Sequence, residues 1–127
     1  MRFLALLLVL LVNAGCGVVT EPDEDQKIAI VTAAIIRDVS KCNASHAAGF
    51  AKYAIARTDC INDALALMRP LYPYPDLLDR YLNNRRAIAE KYSAGKITLA
   101  KANDEFNEQR SKMVDDEEQR LDRKSVV

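Results

Sequence analysis

The chain has 127 residues, with 18 Lys and Arg against 18 Asp and Glu, one His, three Cys, four Gly, four Pro and no Trp. A balance this even and this mixed argues against nucleic acid as a partner and against a polybasic membrane patch. Sparse glycine and proline with abundant alanine favour helices over sheet, and the length allows one small core and no second domain.

Met1 and Arg2 precede an uninterrupted apolar run, Phe3 to Val12, that ends in small residues. These are the three regions of a bacterial export signal. The run is shorter than the roughly 20 apolar residues that span a bilayer. Two processing sites compete behind it. The small side chains of Val12 and Ala14 suit a general signal peptidase cutting after Ala14, which would release a soluble secreted or periplasmic protein.

Ala14-Gly15-Cys16, directly abutting the apolar run, instead resembles a bacterial lipobox, with Asn13 standing where that pattern has an aliphatic residue. The resemblance implies a signal over residues 1–15, cleavage before Cys16, and a palmitate-bearing lipid anchor on Cys16 facing the periplasm. Gly17, rather than Asp, after the cysteine resembles an outer-membrane sorting signal. An odd number of cysteines is awkward in an oxidising compartment. With Cys16 occupied by lipid, Cys42 and Cys60 remain, and a bond closing a loop of that length would add roughly 3 kcal/mol.

Residues 16–25 read as a linker, of which Gly17 to Pro22 reaches at most about 20 Å when extended. Pro22 and the acidic run Asp23, Glu24, Asp25 open the first helix, because carboxylates favour the positive end of a helix dipole. Apolar residues Ile28, Ile35, Val39, Cys42, Tyr53, Cys60 and Leu67 then recur at helical spacing, with no proline before Pro70. The stripe predicts one long or kinked helix from Gln26 to Met68. If it were continuous, Cys42 and Cys60 would lie some 27 Å apart on one face, beyond disulfide reach. A break at Asn43 to Gly49, where weak helix formers surround His46, would bring them closer. The state of the two cysteines stays open at this level.

The segment RPLYPYPD, Arg69 to Asp76, holds three prolines and two tyrosines and must turn the chain. Tyr72 and Tyr74 either cover the ends of the helices they join or form a partner-binding loop. Asp76 is placed to cap a helix with the stripe Leu78, Tyr81, Leu82, Ile88, Ala89 and Tyr92, with Arg86 and Glu90 spaced for local pairing. Gly95 ends it. Thr98 caps a third helix with Leu99, Ala102, Phe106 and Met113 on its apolar face. Beyond Met113 the stripe fades into DDEEQRLDRK, a pattern expected of a solvated or frayed end. The domain is thus expected over residues 26–123, with a disordered tail at 124–127.

The run YSAGKITLAKANDEF, Tyr92 to Phe106, resembles the helical hairpin of the short bacterial C-terminal domain called SHOCT, with Lys101 in place of its Glu and Phe106 further on. As a whole the chain resembles small uncharacterised lipoproteins of Gram-negative bacteria. That resemblance implies an envelope location and no activity. His46 has no histidine partner for zinc, and no nucleophile elbow or glycine-rich phosphate loop is present. Ser93 and Lys96 match S-x-x-K but straddle a helix end, where that chemistry is not supported. No cofactor, metal or catalytic residue is expected. The expectation is an all-α fold, a signal helix and then a long or kinked helix followed by a two-helix hairpin, resembling a three-helix bundle. Its expected role is structural, tethered to the membrane and pairing with another helix or its own copy. The alternative is a periplasmic binding module or inhibitor using Arg69 to Asp76.

Overall fold

The computed structural model describes residues 17 and 20–126. The export signal, Cys16 and its lipidation lie outside the described residues. Among the described residues the architecture is all-helical, with four α-helices and no strand: α1 Glu24–Ser45, α2 Ala54–Ala66, α3 Pro75–Ser93 and α4 Leu99–Ser125, with a short 3-10 turn at Ala51–Tyr53 before α2.

The helix start at Asp23 follows from its local chemistry. The Asp23 side chain accepts from Gln26 N–H at 2.8 Å, and Gln26 Oε1 accepts from Asp23 N–H at 3.2 Å, a reciprocal capping box. Glu24 and Asp25 fill the first turn. Thr98 Oγ1 accepts from Lys101 N–H at 3.1 Å and caps α4. Gly95, at φ +71°, supplies the left-handed residue behind α3.

The long or kinked helix expected from Gln26 to Met68 is divided into two helices, α1 and α2. α1 ends at Ser45, His46 takes an extended backbone, and Gly49 turns the chain at φ +83°. The break falls within Asn43 to Gly49, where Asn, Ser, His and Gly give the helix little intrinsic support. With the chain reversed there, positions that a continuous helix would hold far apart face each other. Cys42 and Cys60 are joined as a disulfide, with Cα atoms 5.7 Å apart and a sequence separation of 18.

The fold is a chain of neighbouring pairs: α1 packs on α2, α2 on α3, and α3 on α4. Its core is narrow. Leu77 (1% exposed), Leu78, Ile88 and Ala89 from α3 meet Ile61 and Ala64 of α2 and Ala102 of α4 among the buried residues. Burying a Leu or Ile of this kind contributes about 1.5–3 kcal/mol. Asp76 does not cap α3. Tyr74 holds the N-cap position and Pro75 opens the helix, where its missing N–H costs nothing, leaving Asp76 in the first turn.

α4 continues without interruption from Leu99 through Ser125. No apolar stripe carries it there. Polar contacts do, as described next.

Candidate interaction surfaces

Three regions carry the residues that the sequence singles out. The first is the turn Arg69 to Asp76. Of its tyrosines, Tyr74 is buried and Tyr72 half-buried. Tyr74 is 6% exposed, and its ring lies beneath the cations of Arg120 and Lys124, at 5.2 and 5.0 Å from the centroid. Tyr72 Oη donates to Glu117 Oε2 at 2.8 Å, and the two tyrosine rings meet edge to face, 6.5 Å apart. Burial, and then the hydrogen bond to the Glu117 carboxylate, push the Tyr72 hydroxyl up to about 12.

The ion pairs around this turn point the same way. Arg120 donates to both Asp76 oxygens at 2.8 and 2.6 Å, Arg80 pairs with Asp116, and Arg69 donates to both oxygens of Asp79 at 2.9 and 3.0 Å. The facing guanidiniums of Arg120 and Arg69 hold the Asp76 and Asp79 carboxyls below their ordinary value. Exposed pairs like these contribute little individually. Their collective effect is positional, since they seat the last turns of α4 against the start of α3. Both tyrosines contribute to this seam, Tyr74 buried and Tyr72 half-buried.

The second region is α1. Cys42, 2% exposed, is buried against α2, and Val31, Ile35 and Val39 on the same face are half-buried, while the opposite face of the helix is exposed. The disulfide sets the register. With equal rise along antiparallel helices, Ala66 at the end of α2 lies about level with Ile36, so the first dozen residues of α1 run past it. That overhang contains KIAIVTAAII, Lys27 to Ile36. Ile30 and Ile36 are 62% and 66% exposed, and Ile28 is exposed as well. No described helix is long and apolar enough to cross a membrane.

The third region is a hollow of about 430 Å³ where the α1–α2 turn meets α2, α3 and α4. Tyr92 Oη donates to the Gly49 carbonyl at 2.6 Å and ties that turn to α3. Arg57 lies in the wall, donating through Nη2 to Asn43 Oδ1 at 2.7 Å. Nothing in the sequence drew attention to this place. Its members, from Ala47 to Phe106, converge only after the chain has reversed twice.

His46 sits at the end of α1 with its ring 6.4 Å from that of Tyr53. Ser93 closes α3, and Lys96 lies beyond it in the turn. The structure brings His46 and Ser93 into no shared hydrogen bond among the described residues. Arg86 Nε donates to Glu90 Oε1 at 3.0 Å, as their spacing predicts, and Arg86 also reaches Asp59 of α2. Comparison with known protein families, with characterised proteins and with solved structures finds no match.

Proposed function

We propose that the protein is a membrane-tethered helical lipoprotein of the bacterial envelope, with a structural role exercised through pairing of α1 with α1 of a second copy. The observation that carries this reading is the exposed apolar face of α1, with Ile30 and Ile36 62% and 66% exposed. A helix segment apolar on most of its faces is ordinarily covered. The linker from Gly17 to Pro22 holds the start of α1 within about 20 Å of a Cys16 anchor. Anchoring copies at one surface raises their effective concentration, so a weak helix pairing becomes populated. The Cys42–Cys60 bond is in keeping with an oxidising compartment.

No catalytic role is proposed for His46, Ser93 or Lys96. The reading of Arg69 to Asp76 as a docking loop finds no support in tyrosines that are turned inward onto α4.

Two measurements test the proposal. Intact mass of the mature protein from the membrane fraction should show a diacyl- or triacylglyceryl adduct that is absent from Cys16→Ser. Sedimentation of that soluble Cys16→Ser protein should show association that grows with concentration and weakens at least tenfold in Ile30→Asp/Ile36→Asp. A soluble wild-type product beginning at Gly15 would remove the tether. A monomer at every concentration would remove the pairing.

A further inference from the structure

The hollow beneath the α1–α2 turn combines an apolar lining with one cationic side chain. Three small side chains, Ala54 of α2, Ala89 of α3 and Ala102 of α4, are among its lining. Its volume of about 430 Å³ falls within the range of small-molecule pockets. Phe50 and Leu99, both exposed, and Phe106 also line it, giving it an apolar rim and wall.

Its one cationic side chain is Arg57. Several arginines of the bundle meet carboxylates, Arg69 with Asp79, Arg80 with Asp116, Arg86 with Asp59 and Arg120 with Asp76, whereas Arg85 meets the neutral Asn62 and Tyr81. Arg57 meets no carboxylate among the described residues, and its only acceptor is the neutral amide of Asn43. Its Nε is buried with no hydrogen-bond partner. A part-buried guanidinium with no counter-charge and with its Nε–H unpaired favours an anion, and a planar carboxylate suits it best.

We propose that this hollow binds a medium-chain fatty carboxylate, its head on Arg57 and its chain among Phe50, Leu99 and Phe106. At about 30 Å³ for each water-sized group, the space holds about fourteen heavy atoms, close to decanoate or dodecanoate. A turn of the guanidinium about its terminal bonds brings its free N–H edge to the carboxylate, which supplies the charge and acceptor that the chain does not. The apolar chain leaves water for a surface that is already apolar. The site stands whether or not Cys16 is lipidated, because it lies wholly within the helical domain.

The test is titration of the purified Cys16→Ser protein with decanoate below its micelle concentration, beside decanol and decyltrimethylammonium, followed by amide chemical shifts and calorimetry. Decanoate should bind at least tenfold more tightly than either control and shift the resonances of Phe50, Leu99 and Phe106. Arg57→Gln, with an unchanged circular dichroism spectrum, should bind decanoate no better than decanol. Ala54→Leu, which fills the hollow and keeps Arg57, should lose binding of all three. Equal binding of the three ligands, no saturable decanoate binding, or decanoate affinity unaltered by both substitutions would overturn the proposal. Should Arg57→Gln fail to fold, the ligand series and Ala54→Leu decide it alone.

Discussion

Tyr72 shows how a single polar contact ties distant parts of this chain together. Its hydroxyl donates to Glu117, 45 residues away, and its acidity is pushed from an ordinary 10.0 up to about 12. The folded protein therefore holds the phenolic proton more tightly than the unfolded chain. The stabilisation is complete below pH 10 and is lost as pH rises from there to about 12. Denaturant midpoints for wild type and Tyr72→Phe should differ by about 1 kcal/mol near neutrality, and the two curves should converge across that alkaline window. A constant gap from pH 9 to pH 11.5 would mean that the hydroxyl does not titrate in the folded state as described. No sequence signal pointed to this bond. Glu117 looked like one solvated carboxylate in a run of four, and only the antiparallel return of α4 brings it to Tyr72.

At the scale of elements, what was legible in the sequence was punctuation. Pro70, Pro73 and Pro75 mark the turn before α3, and Gly95 with Thr98 marks the turn before α4, because these residues restrict or cap the backbone locally. Leu78, Ile88 and Ala89 are buried as their spacing predicts, and Leu77, outside that stripe, is the most deeply covered of the buried leucines. What could not be read locally was the extent of α4. Its last turns lack an apolar face, yet Asp116, Glu117, Arg120 and Lys124 recur at helical spacing and reach Arg80, Tyr72, Asp76 and Tyr74. Charged residues at that spacing read as a solvated face unless their partners are known. Tyr74→Ala should thus cost about 3 kcal/mol, as for other large buried aromatics. It should also raise amide exchange over Glu117 to Ser125 more than in the first turns of α4. Unchanged exchange in that segment would show that the ion pairs alone hold the tail.

On the scale of the molecule, connectivity decides which part is weakest. α2, α3 and α4 share the buried core, whereas α1 packs on α2 only and exposes much of its apolar length. The covalent bond from Cys42 to Cys60 compensates for that thin interface. Its existence could not be settled from spacing, since the same two positions are about 27 Å apart on a continuous helix and adjacent on a broken one. A bond closing 18 residues restricts the unfolded chain by roughly 3 kcal/mol, a large share of what a domain of this size retains in total. Cys42→Ala/Cys60→Ala should lower stability by about that amount. The loss should be uneven, because α1 is joined to the remainder through one face. Amides of Glu24 to Ser45 should lose most of their protection against exchange, while those of Leu77, Leu78, Ile88 and Ala89 keep theirs. A uniform loss across all four helices would instead mean that α1 unfolds only with the whole, and that its interface with α2 is as strong as the core itself.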